Sequence, residues 1–132
     1  MIKLSTLQPG DIVMAEYEGQ QTEGVVKELN REDHEVCVET PVQEFWFKPE
    51  DLYPIPLSEA QLIKLGFSKQ VNEDSTIKYM KGPFRVMIAG EGDFHKLEIW
   101  YREDRRHLHE AIYVHELQNH YYQMTKVELN PA

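Results

Sequence analysis

The segment Tyr53-Pro54-Ile55-Pro56 divides this chain. A proline fixes its own φ, gives up its N–H and turns the preceding residue away from helix, so two prolines one residue apart interrupt any regular element. The charge changes at the same place. Residues 1–56 carry twelve acids against four bases, whereas residues 57–132 carry eleven against ten. Two units are therefore expected, 1–56 and 57–132. A chain of 132 residues suffices for one ordinary domain or two very small ones sharing an interface. It is too short for a dinucleotide-binding domain plus a substrate domain.

The first unit reads as short strands separated by turn residues. Pro9-Gly10-Asp11 leads into Ile12–Tyr17, Gly19 opens a second run ending in Gly24–Leu29, and Asn30–His34 is turn chemistry. Glu35–Glu39 and Gln43–Lys48 supply two more strands around Thr40-Pro41, and Pro49–Pro54 forms a tight turn before a short closing strand. This order, ending in Asp51-Leu52-Tyr53-Pro54, resembles a Src-homology-3-like (SH3-like) or KOW-like small barrel over about 45 residues. The resemblance implies an acidic antiparallel β-barrel, with Tyr17, Trp46 and Tyr53 available to line a groove for a peptide or nucleobase. Alternatively, alternate members of Phe45-Trp46-Phe47 fill the barrel and cover its open end.

The second unit begins with a helix capped by Ser58, carrying Leu62 and Leu65 and stopping at Gly66. Strands follow at Ser75–Met80, Phe84–Ala89 and Phe94–Tyr101, with Phe67–Val71 as a further strand at the start. Short connections make this a meander. Arg102–Arg106 reads as a solvated connection. Val114, Leu117, Tyr121 and Met124 then form one stripe of a final helix expected to pack on the sheet. The fold class is α+β: a small SH3-like antiparallel barrel followed by an α-β-meander-α unit. A free edge at 94–101, with Trp100 exposed on it, would favour a homodimer.

Catalytic chemistry is poorly represented. His115-Glu116-Leu-Gln-Asn-His120 approaches the H-E-x-x-H zinc-protease motif, but its histidines are five residues apart, so on a helix they point roughly 140° away from each other. His107, His109, His115 and His120, with Glu110 and Glu116, could in principle ligate a metal, although the solvated reading is preferred and no metal is assigned. Glu91, Asp93 and His95 lack a neighbouring nucleophile. Cys37 cannot form an internal disulfide and reads as a structural, reduced thiol. Arg105 and Arg106, with Lys81 and Lys96, offer a local site for a small anion.

The motifs Pro54-Ile-Pro-Leu-Ser58 with Leu62-Ile-Lys-Leu-Gly-Phe67, and Tyr113-Val-His-Glu-Leu-Gln-Asn119 with Tyr121 and Thr125, resemble a family of short uncharacterised proteins of Bacteroides-type bacteria, their phages and mobile elements. Where members often carry glutamine, an apolar residue and glycine, this chain has Glu116, His120 and Lys126. The resemblance implies a compact cytosolic protein with no catalytic role and no cofactor. No stretch approaches the roughly 20 apolar residues of a membrane span, and the N-terminus lacks a signal-peptide core, so a cytoplasmic location is expected. The acidic first unit should repel a phosphate backbone, which argues against nucleic acid. The expected function is a non-enzymatic protein–protein interaction, with the resemblance implying a phage or mobile-element association. The alternatives are a small-ligand or nucleotide-sequestering protein and, third, a metal-dependent hydrolase.

Overall fold

The fold is α+β, with two antiparallel five-stranded sheets and two α-helices in a computed structural model that describes residues 2–131. One unit comprises Met1–Ile55 with Tyr113–Asn119, and the other Pro56–Ile112 with His120–Ala132.

In the first unit, β1 (Ile12–Tyr17), β2 (Gln20–Asn30), β3 (Glu35–Glu39), β4 (Glu44–Phe47) and β5 (Leu52–Tyr53) lie in the order β4-β3-β2-β1-β5. The β1–β2 turn places Glu18 and Gly19 at φ 51° and 79°, the left-handed pair that a two-residue hairpin requires. Side chains alternate across the strands, and one face supplies the core: Val13, Ala15, Val26, Val36, Val38, Phe47 and Leu52, joined by Ile2 and Leu7.

This sheet coils strongly. A flat one would hold β1 and β4 about 14 Å apart, three strand spacings. Yet the rings of Tyr17 on β1 and Phe45 on β4 lie 5.3 Å apart. A register shift between Val26 and Glu28 marks a bulge in β2, a device that bends a strand and increases its twist. The closed barrel expected from the sequence is not seen. Strands β4 and β5 are the two edges, and no ladder joins them among the described residues. The closing strand is only two residues long, held between the 3₁₀ turn Pro49–Asp51 and Pro54.

The second unit opens with α1 (Glu59–Lys64), where Ser58 Oγ accepts a hydrogen bond from Gln61 N at 3.3 Å. Its other end is a Schellman turn. Phe67 N donates to Leu62 O and Gly66 N to Ile63 O, both at 3.0 Å, with Gly66 at φ 93°. Next come β6 (Ser68–Val71), β7 (Ile77–Lys81), β8 (Phe84–Ile88), β9 (Leu97–Tyr101) and β10 (Asp104–Leu108), a meander in the order β10-β9-β8-β7-β6. Ile77, Tyr79, Phe84, Val86, Ile88, Leu97 and Ile99 are buried. Strand β10 replaces the expected solvated connection. Its partner β9 is paired on both sides and is not an edge, so Trp100 lies inside the sheet.

The last helix, α2 (Val114–Thr125), begins where Glu116 Oε1 accepts Tyr113 N at 2.9 Å, half of a capping box. Its residues up to Asn119 count with the first unit and those from His120 with the second. In the second unit Tyr121 sets its ring 4.7 Å from Phe84.

Gly24 tests how tightly the first sheet is wound. A Cβ built there would fall 2.5 Å from Val38 Cγ1 and 2.9 Å from the Glu39 carbonyl. Gly24→Ala is expected to cost about 1–3 kcal/mol by overpacking, read from urea unfolding; an unchanged midpoint would show that the strands have room to part.

Candidate functional site

The coiled sheet sorts its aromatics by strand parity. Tyr17, Phe45 and Phe47 project to the core side. Phe47 is buried, while Phe45 bridges it to Tyr17 at the rim, with ring separations of 5.6 and 5.3 Å. Trp46 projects to the opposite, outer face beside Cys37, in the row Glu28–Cys37–Trp46. Tyr53 also sits on the outer face, but on β5, where its hydroxyl donates to Glu16 Oε2 at 3.2 Å. That bond and the Glu16 charge raise the phenol's pKa. The structure therefore does not assemble Tyr17, Trp46 and Tyr53 into one groove. It joins Tyr17 to Phe45, a partner the expected groove left out, and leaves Trp46 on the edge strand. Tyr17, Phe45 and Trp46 are 48%, 41% and 42% exposed.

The outer face around Trp46 is acidic. Glu39 and Glu44 are directly opposite each other on β3 and β4, an unfavourable like-charge pairing. Lys27 stands 3.9 Å from Glu39. Burial pushes the Cys37 thiol up, and Glu44, Glu28 and Glu39 push it further. A thiol held protonated in this way is a poor nucleophile.

Arg105 and Arg106 are neighbours on a strand and so serve opposite faces. Arg105 pairs with Glu98 at 2.9 Å and lies over the Trp100 ring at 4.7 Å. Arg106 meets Asp104 at 3.2 Å and donates to Gln123 Oε1 at 3.0 Å and His120 Nδ1 at 2.9 Å. Each guanidinium thus already has a carboxylate. The two do not form a joint anion patch.

The histidines are likewise dispersed. His107 faces Glu98 at 3.7 Å, His120 serves Arg106, and His115 is buried with its Nδ1 unpartnered. Among the described residues no three His, Cys, Asp or Glu side chains gather as metal ligands. Glu91 binds Lys69 at 2.7 Å, and Glu59 binds the same ammonium at 2.6 Å. Donating hydrogen bonds to both carboxylates raises the Lys69 pKa. Asp93 accepts His95 N within its own turn at 3.3 Å.

A buried polar cluster in the first unit escaped the sequence reading. Gln118 Nε2 donates to Gly10 O at 2.9 Å, and its Oε1 accepts Ile12 N at 2.8 Å. Asn119 Nδ2 donates to Thr6 O at 3.1 Å. Between these lies Asp11, only 3% exposed, whose carboxylate accepts Gln8 N at 2.9 Å. Burial outweighs the hydrogen bonds from Gln8 and Asn119 and pushes its pKa up to about 7. The turn signal Pro-Gly-Asp was visible; what buries it comes from a helix more than a hundred residues away.

Comparison with protein-family models, with curated proteins and with solved structures gave no match. No helix among the described residues is long and apolar enough to cross a membrane.

The buried cluster makes stability depend on pH. Folded Asp11 keeps a proton that the unfolded chain gives up near 3.8, so its contribution is full below about pH 4 and is lost as pH rises through about 7. His115 acts oppositely. Burial lowers its pKa from 6.5, so its contribution is full above that value and falls at lower pH. Asp11→Asn should remove the first slope, worth up to about 4 kcal/mol for a shift of about three pH units, as measured by urea unfolding from pH 4 to 8. Parallel curves for the two proteins would show that Asp11 is not the group responsible.

Proposed function

We propose that the protein is a non-enzymatic binding module whose first unit, an open relative of SH3-like barrels, engages a basic surface on another protein. The strand order and coiling of the first sheet support the structural half of this reading. Its functional half rests on one observation: the exposed aromatics Tyr17, Phe45 and Trp46 lie on a sheet whose outer face carries Glu28, Glu39 and Glu44. Trp46 on that acidic face gives hydrophobic anchoring together with electrostatic steering, and Tyr17 and Phe45 add exposed aromatic surface at the rim. The excess of acids in residues 1–56 extends that field. A cytoplasmic location fits this role, and the buried, unpaired Cys37 is compatible with a reducing compartment.

The test compares the protein with a variant in which Glu16, Glu18, Glu23, Glu28, Glu39 and Glu44 are replaced by glutamine. Pull-downs at low salt should recover basic proteins with the wild type, and the variant should recover several-fold less of the same proteins. Equal recovery would overturn the steering mechanism.

A further inference from the structure

We infer that β4 is a docking edge for an extended, basic segment of a partner protein, which adds to the first sheet as a sixth strand. This rests on the interaction reading above and specifies how it operates.

The β3–β4 hairpin fixes which backbone groups face outward. Thr40 N donates to Gln43 O at 2.8 Å, so this pair is hydrogen-bonded. Bonded and non-bonded pairs alternate in an antiparallel ladder. With the register Glu39–Glu44, Val38–Phe45, Cys37–Trp46 and Val36–Phe47, Phe45 and Phe47 turn their N–H and C=O toward β3. Glu44 and Trp46 turn theirs away from it, at the sheet's edge.

The other edges carry devices that discourage pairing, while β4 carries few. Strand β10 presents Asp104, Arg105, Arg106 and His107, β6 presents Lys69, and β5 is two residues long. Strand β4 reads Glu-Phe-Trp-Phe, with Glu44 as its only charge. Charged side chains, prolines and shortness are the usual protections of an edge.

Charge identifies the occupant. On an added strand, residues opposite Glu44 and Trp46 share their outer face, and the residue between them faces Phe45. A lysine or arginine opposite Trp46 would lie over the indole, and one opposite Glu44 would relieve the Glu39–Glu44 repulsion. The intervening positions call for apolar residues. The pattern is basic-apolar-basic-apolar. A second copy of this chain is a poor occupant because it would bring the same carboxylates edge to edge.

The experiment uses fluorescein-labelled peptides in anisotropy titrations against the full chain. One has the sequence Thr-Val-Arg-Val-Arg-Val-Thr, another has the same composition with adjacent arginines, and a third has glutamate in place of arginine. The alternating arginine peptide should bind at least about tenfold more tightly than either control, because only its arginines fall together on the outer face with Glu44 and Trp46. Trp46→Pro removes both an outward N–H and the indole while sparing the β3 ladder; it should lose at least the same factor. Glu39→Lys with Glu44→Lys should reverse the preference toward the glutamate peptide.

Hydrogen exchange on the wild type gives a readout independent of any variant's folding. The alternating arginine peptide should slow the Glu44 and Trp46 amides and leave those of Phe45 and Phe47 unchanged. Equal binding of the two arginine peptides, or no slowing at Glu44 and Trp46, would overturn the edge. Either result would leave the acidic-face reading to the glutamine variant. Absence of binding by the alternating arginine peptide would also overturn the edge.

Discussion

The carboxamide of Gln118 carries a large share of the first unit's organisation. One side chain donates to Gly10 and accepts from Ile12, so it satisfies main-chain groups on both sides of Asp11 where β1 begins. Buried backbone groups left unpaired are costly. The turn at residues 8–11 also joins β2, through Gly10 N to Val26 O and Val26 N to Asp11 O, both at 2.8 Å. The start of β1, the middle of β2 and the first half of α2 are thereby set in one network. Alternation then distributes the remaining side chains, sending Val13 and Ala15 to the core and Glu16 to the outer face.

Local signals made much of this legible in advance. The Ser58 cap, the Gly66 stop and the alternation in β1, β3, β8 and β9 each depend on residues a few positions apart, and each lies where the sequence suggested. Strand β10 was missed because its turn is Arg102-Glu103, with Arg102 at φ 57°. A two-residue turn ordinarily advertises itself through glycine or asparagine. Without them, Arg102–Arg106 reads as a charged loop.

The site was less legible for a related reason. The sequence identifies Tyr17, Trp46 and Tyr53 as aromatics on strands, but the face each occupies depends on exact register. A one-residue difference separates Phe45, at the core rim, from Trp46, on the outer face. Arg105 and Arg106 show the same limit: adjacency suggested a patch, whereas a strand divides adjacent residues between its two faces. Gln118 and its partners Gly10 and Ile12 are separated by more than a hundred residues, and no local pattern encodes that meeting. Only its turn chemistry was readable.

The sheltered state of Cys37 has a practical consequence. It is the chain's only cysteine, it is buried, and burial with three nearby glutamates keeps it in the thiol form. Maleimides and other thiolate-seeking reagents should therefore pass over it under native conditions. A second cysteine placed on an exposed loop would be modified selectively, so spectroscopic probes can be attached to the otherwise native sequence without replacing a residue that packs between β2 and β4.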